Sequence, residues 1–440
     1  MLEQDSAVYK DGPPGEVRAF DVRTGQERWR WQAIPQAGDP ATATWQNDAW
    51  KYSGAGNTWS TFSVDEELGY VYVPTSGATN DMYGGHRLGD NLYGSSIVCL
   101  NAKTGERVWH FQTVHHDLFD YDLPAAPILI DITVDGRAIK ALAQVTKQGF
   151  VFVLDRVTGK PVWPIEERPA PKSTVPGEVA SPTQPWPTKP PPYEHQGLTA
   201  NDLIDFTPEL RAEALEIVKR YVIGPQFTPP SVISKEPNGT LGTIQLAGAS
   251  GGANWNGAAF DPETGMLYVG SRSVAFVADL FAPDAARSDL RYRAGMREIV
   301  NGPRGLPLMK PPYGRITAFD LNRGTQAWMV PNGDGPRNHP ALAALKLPPL
   351  GDATPSAVIA TKTLLFVTEA DKSTPRSAAN VGGTKFTALD KKTGEKIWEI
   401  DLGVGQNNTP MTYMHDGKQY VVVSVGSTDY PAELVALALP

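Results

Sequence analysis

The sequence predicts an all-β chain built as a β-propeller. Three observations point there: an eleven-residue pattern occurs five times, strand-like runs fill most of the intervals, and helix-forming stretches are almost absent. The copies are AFDVRTGQERW at 19–29, CLNAKTGERVW at 99–109, VLDRVTGKPVW at 153–163, AFDLNRGTQAW at 318–328 and ALDKKTGEKIW at 388–398. Each reads as a hairpin: an apolar strand ends at Asp or Asn, whose side chain bonds the turn backbone, Gly supplies a positive φ, and the next strand places Trp on a buried face. Five of the eleven tryptophans, Trp29, Trp109, Trp163, Trp328 and Trp398, share this phase.

The other elements follow in order. GEVRAFDV opens the chain as a strand, and LGYVYVPTS, KALAQVT, GMLYVGS, TLLFVTE and KQYVVVSVG supply alternating or β-branched strands between the motifs. Several strands per Trp motif indicate radial blades, about five to six of them, with a sandwich or solenoid as the weaker alternative. The organisation expected is one propeller domain over 1–440, interrupted at about 164–240. That insertion starts proline-rich, so it is expected to wrap the surface rather than enter a blade. It then turns helical at FTPELRAEALEIVKRYV, with Thr207 as N-cap, Pro208 as first helical residue, and Leu210, Ala214, Ile217 and Tyr221 on one face.

The charge balance, 40 basic against 48 acidic residues, argues against a nucleic-acid binder. Cys99 has no partner for an internal disulfide and suits a small buried position. No run approaches the ~18 apolar residues of a membrane span.

A propeller binds its ligand where loops of several blades converge, so chemistry is sought in polar and aromatic loops next to strands. In VHHDLFDYDLP, residues 114–124, Asp120 between Phe119 and Tyr121 suits a partly desolvated base. Equally open is a loop in which His115, His116, Asp117 and Asp122 cap and pair with one another. Adjacent histidines on an extended chain point apart, which disfavours a shared metal. Lys147, in VTKQGFVFVLD, sits at a strand end and suits an anionic or carbonyl oxygen, or is an ordinary surface lysine. Trp59, in GNTWSTFSVD, offers a face for a planar ligand or plugs the core between blades. Asn254 and Trp255 follow a Gly/Ala-rich run that permits close backbone approach. Thr79, Asn80 and Asp81 bring oxygen ligands suited to calcium or magnesium, or simply form turns.

Together these segments resemble the quinoprotein dehydrogenases that use pyrroloquinoline quinone (PQQ), the glucose dehydrogenase-like branch in particular. The resemblance rests on the repeated AxDxxTGxxxW, in order with TVHHDLFDYDLPAAP, TKQGFVFVLDR and GGANW, and covers nearly the whole chain. It implies Asp120 as catalytic base, Lys147 beside the quinone oxygens, Trp59 as the cofactor floor, and Asn254 and Trp255 as cofactor partners. Thr79 and Asp5 would lie at a Ca2+ or Mg2+ site. It also implies oxidation of an aldose, polyol or alcohol by proton abstraction and hydride transfer, in the periplasm. No CxxCH haem signature is present, so electrons pass to a separate acceptor, membrane ubiquinone in this reading. Family rings have eight blades, so the chain is expected to be an amino-terminal truncation, its parent carrying the missing blades and an export signal or membrane anchor. ELVALALP would supply closing strand material. Two alternatives are a non-catalytic propeller scaffold that binds protein partners and an inactive fragment.

Overall fold

Each motif folds as its residues dictate. The computed structural model describes residues 9–295, 299–370, 382–406 and 408–439. In it Asp21 Oδ1 accepts from the main-chain N–H groups of Arg23 and Thr24, Asn101 Oδ1 from Lys103 and Thr104, and Asp155 and Asp390 repeat the pattern. The motif glycine follows at positive φ, from +68° at Gly324 to +75° at Gly105 and Gly394.

Among the described residues, six antiparallel sheets carry the repeat. Glu16–Phe20 pairs with Glu27–Gln32. The second sheet holds Ser63–Asp65, Tyr70–Pro74, Ser96–Asn101 and Arg107–Gln112. The third holds Ile128–Val134, Arg137–Val145 and Val151–Asp155. The fourth holds Ala258–Asp261, Met266–Arg272, Gly314–Asp320 and Thr325–Pro331. The fifth holds Val358–Ala360, Leu364–Thr368, Lys385–Asp390 and Lys396–Asp401. The sixth holds Met411–His415, Lys418–Ser427 and Tyr430–Ala438. In the third, Pro161 has no N–H to donate, and the fourth strand shrinks to a bridge between Leu154 and Pro161. The first strands of the second to fifth sheets touch one another in turn, which makes the sheets radial blades around an axis.

The tryptophans close the seams between blades. Trp29 Nε1 donates to Ala102 O at 2.9 Å, Trp109 Nε1 to Arg156 O at 3.2 Å, and Trp328 Nε1 to Lys391 O at 3.1 Å. In each case the acceptor directly follows the next motif's Asp or Asn. The indole lies on that motif's glycine: a Cβ at Gly105, Gly159 or Gly394 would come within 2.6–2.7 Å of the Trp ring, so only Gly fits. At Gly324 a Cβ would meet Lys189 at 2.9 Å and the Trp163 ring only at 3.1 Å, so that contact is looser and shared. Trp398 departs from the expected burial: it is 43% exposed. Beneath these contacts the seams are apolar. Tyr72, Cys99 and Trp109 meet Leu142, Phe152 and Leu154 between blades two and three, and Ile130, Val153 and Trp163 meet Leu267 and Phe319 between three and four. Burial pushes the Cys99 thiol up to about 12, as suits a packing residue.

The insertion forms more sheet than its prolines suggest. Ile165–Pro169 and Thr183–Pro187 pair antiparallel, with Pro185 opposite Glu167 and Pro187 opposite Ile165. A two-stranded ribbon leaves each strand an outward edge, and there a missing N–H costs nothing. A helix at Pro208–Val218 starts at the Thr207 cap, whose hydroxyl accepts from Leu210 N at 3.3 Å. Leu210, Ala214 and Val218 are buried against Leu246 and Leu306, with Ile217 and Tyr221 partly so. A further small sheet, Ser231–Val232, Thr243–Gln245, Phe276–Phe281 and Arg293–Ala294, carries non-blade structure past residue 240.

Candidate active site

In each blade the first and second strands are antiparallel, so the loop entering the first and the loop leaving the second lie at the same end of the sheet. The segments containing Trp59, Asp120 and Asn254 enter first strands, whereas Thr79, Lys147 and Arg272 lie at or beyond the ends of second strands. Residues spread over more than 200 positions are thereby gathered at one end of three blades.

At the centre is Lys147. Its Nζ donates to Asp120 O at 2.7 Å, Asp120 Oδ1 at 3.0 Å and Asp122 Oδ2 at 3.2 Å. The ammonium is 5.5 Å from the Trp59 ring centroid, and Trp59 lies 5.0 Å from Trp255. Burial works against the charge on Lys147, but the Asp120 and Asp122 carboxylates outweigh it and hold the lysine above its ordinary value. Burial likewise penalises the charge on Asp122, but the Lys147 ammonium and the Gly77 N–H, at 2.9 Å, keep it below the usual carboxylate range. Lys147 is therefore a fixed cation rather than a surface lysine, and its side chain is 4% exposed.

The Asp120 loop is held in a tight conformation, with φ of +57° at Asp120 and +44° at His116. Asp117 organises it: Oδ1 accepts from Phe119 N at 2.8 Å, and Oδ2 from Ser95 Oγ at 2.6 Å and Tyr121 N at 3.1 Å. The aromatic neighbours do not screen Asp120. Phe119 and Tyr121 lie in the apolar seam with Phe227, and Tyr121 Oη donates to Ala247 O at 2.6 Å. The histidines find partners outside the loop. His115 meets Gln112 and Glu167, and His116 Nε2 sits 2.7 Å from Glu178 Oε1 with Nδ1 2.8 Å from Gly89 O. The insertion thus fastens the loop through Glu178, Gln226 and Phe227.

Asn254 and Trp255 join from the fourth blade. Gly252 N donates to Lys147 O at 2.9 Å, and a Cβ at Gly251 (φ +79°) would stand 2.9 Å from Lys147 Cγ, which explains the glycine run. Asn254 Nδ2 donates to Ser250 O at 2.9 Å, and Trp255 is 66% exposed. Thr79 lies two residues beyond Gly77, the donor to Asp122, and its own carbonyl accepts from His86 Nε2 and Arg87 Nε. Asp5 lies outside the described residues.

Sequence reasoning missed two members. Asp122 is a second carboxylate on Lys147. Arg272 ends the second strand of the fourth blade, matching the place of Lys147 in the third; that correspondence was its available signal. Its N donates to Gly252 O at 2.9 Å, and its guanidinium Nη2 approaches Ser250 O at 3.5 Å. Burial lowers it to about 10, so it remains charged at neutral pH.

The residues present suit a flat, oxygen-rich anionic ligand: two indoles give planar surface, Lys147 and Asn254 give donors, and Gly251 and Gly252 allow backbone approach. A metal fits less well, since among the described residues no three His, Cys, Asp or Glu side chains converge as ligands.

Fold and site together define a class, the β-propellers that seat a planar ligand among loops at one end of their blades. The family model described as "PQQ: Glucose/ethanol/alcohol dehydrogenase, beta-propeller domain" matches residues 3–421, and the chain belongs to that family. It is 32% identical to the quinate/shikimate dehydrogenase (quinone) of Acinetobacter baylyi, over 98% of this chain and 54% of that protein. It is also 32% identical to the quinoprotein glucose dehydrogenase of Escherichia coli, over 97% and 54%. The crystal structure of quinohemoprotein alcohol dehydrogenase from Comamonas testosteroni shares the fold, with a TM-score of 0.64 and 23% identity, over 98% of this chain and 57% of that one. The chain thus spans little more than half the length of these relatives.

Proposed function

We propose that this chain forms the catalytic propeller of a PQQ-dependent dehydrogenase that oxidises a hydroxyl-bearing sugar, polyol or alcohol. The observation that carries the reading is Lys147 held between Asp120 and Asp122 beside Trp59. Such a cluster in polar loops has no role in a protein-binding scaffold.

When bound, PQQ supplies the electron-accepting carbonyl chemistry. Trp59 would orient it, Asn254 and Trp255 would hold it, and Lys147 would offer its ammonium to an oxygen where negative charge develops. Asp120, its side chain 17% exposed, takes the substrate hydroxyl proton on its carboxylate. Asp122 has a distinct task. As Asp120 becomes neutral by taking the proton, Asp122 still balances Lys147, so the buried ammonium keeps a counter-charge throughout turnover.

A divalent ion, calcium or magnesium, enters this proposal through the family resemblance alone; on the Thr79 side the Thr79 carbonyl is taken by His86 and Arg87. Electrons leave to a separate acceptor, membrane ubiquinone, and the location is periplasmic. No helix among the described residues is long and apolar enough to cross a membrane.

The test is titration of purified protein with PQQ, with and without calcium, followed by dye reduction with glucose, glycerol and quinate. Saturable PQQ binding with substrate-dependent dye reduction is expected. PQQ binding without oxidation of any of the three would sink the enzymatic reading.

A further inference from the structure

Lys147 and Arg272 occupy corresponding places in adjacent blades, yet their surroundings differ sharply. Lys147 touches two carboxylates. Arg272 forms no ion pair among the described residues, and its one side-chain contact is a 3.5 Å approach to Ser250 O, a carbonyl that Asn254 Nδ2 also uses. Three other buried cations are matched by carboxylates, Arg156 by Asp65 and Asp131, Arg315 by Glu194, and Lys391 by Asp261, whereas Arg87, with no carboxylate, is saturated by Thr79 O, Asn80 O, Asp117 O and Asn91 Oδ1. A guanidinium largely withdrawn from water with neither an anion nor a full set of acceptors is costly, and a ligand that supplies them offsets that cost. Its planar fork matches a carboxylate bidentately, which an alcohol or aldehyde oxygen cannot reproduce.

The place narrows the source of that carboxylate. Arg272 stands one blade further round than Lys147, beneath the loop that presents Trp255, the most exposed large side chain of the cluster. Its backbone is pinned to that loop through Gly252 O, and the Asn254 amide fixes the carbonyl below it. The guanidinium is thereby held beside the loop that carries Asn254 and Trp255.

Resting on the dehydrogenase reading above, we propose that Arg272 binds a carboxylate of the substrate, so that the site prefers hydroxy acids over uncharged polyols and sugars. Substrate enters with its carboxylate on Arg272 and its reacting hydroxyl towards Asp120. The proton would go to Asp120, and PQQ, when bound, would supply the two-electron acceptor for the C–H hydride, so that the hydroxy acid leaves as an oxo acid.

The test compares wild type, Arg272→Gln and Arg272→Lys, each saturated with PQQ, on quinate and on glycerol. Arg272→Gln is expected to lower the quinate-to-glycerol ratio of kcat/KM by about ten- to a hundredfold, mainly through the KM for quinate, with partial recovery in Arg272→Lys. A second readout needs no turnover: quinate quenching of tryptophan fluorescence should weaken in Arg272→Gln, while the PQQ dissociation constant, read by absorbance titration, stays within about twofold. An unchanged ratio overturns the proposal. So does a weakened PQQ affinity at constant ratio, which would give the guanidinium to the cofactor instead. If wild type bound no PQQ, the dehydrogenase reading would fail by itself. Arg272-dependent quinate quenching in that cofactor-free protein would still uphold the carboxylate site, and its absence would end it.

Discussion

The seam between blades two and three and the loops above it are built from the same hairpins, yet they spend their residues in opposite ways. In the seam, Trp109 covers Gly159, and Tyr72 Oη and Trp109 Nε1 both donate to Arg156 O, so each polar atom is satisfied within apolar packing. A few ångströms beyond the strand ends, Asp120, Asp122 and Lys147 form a buried charge cluster that packing alone would not favour. The difference teaches that stability here comes from repeated contacts, and chemistry from loops that the repeat merely holds at a common end.

That separation can be broken experimentally. Trp109→Ala should have the largest effect, lowering stability by roughly 3–5 kcal/mol through the cavity it leaves in the seam. Thermal melting reads it, and loss of turnover at unchanged melting temperature would contradict a purely structural role. Asp120→Asn should do the reverse: kcat falls by about a hundredfold or more while PQQ affinity and melting temperature hold. Retained turnover would remove Asp120 from the base role and point to Asp122.

A third test uses acidity. Burial raises Asp352 and Glu369, buried side chains beside the fourth and fifth blades, to about 7 each, with mutual repulsion adding to the rise in Asp352. A carboxyl whose folded pKa exceeds its unfolded one binds more protons when folded. Their contribution to stability is therefore fullest at low pH and is lost as pH rises from about 4 to about 7. Asp352→Asn should remove part of that loss, making the pH slope of the melting temperature more positive across this range than in wild type; an unchanged slope would refute the assignment. The smallest effect should come from Trp398→Ala, within about 0.5 kcal/mol, because that indole is 43% exposed. A loss as large as that of Trp109→Ala would mean the two positions are equivalent.

The seams were legible because five copies of one pattern fix hairpin, glycine and indole together, though the phase alone could not reveal that Trp398 lies uncovered. That Asp120, Lys147 and Trp59 would come together was legible because each is an unusual residue type in a loop. Arg272 was not, since an arginine in GSRS looks ordinary and its lack of a carboxylate is visible only in three dimensions. The histidines misled for a related reason: the partner of His116 is Glu178, 62 residues away. Pro185 and Pro187 hid a strand because a proline counts against a ladder only when its N–H position faces a partner.

The docking of Trp29, Trp109 and Trp328 runs in one direction, from the indole of one blade to the turn of the next. During synthesis, then, an indole leaves the ribosome before the glycine it will cover, and every completed hairpin meets a waiting lid. Nascent chains halted just after Gly105, Gly159 and Gly394 should gain protease resistance in steps, one blade at a time.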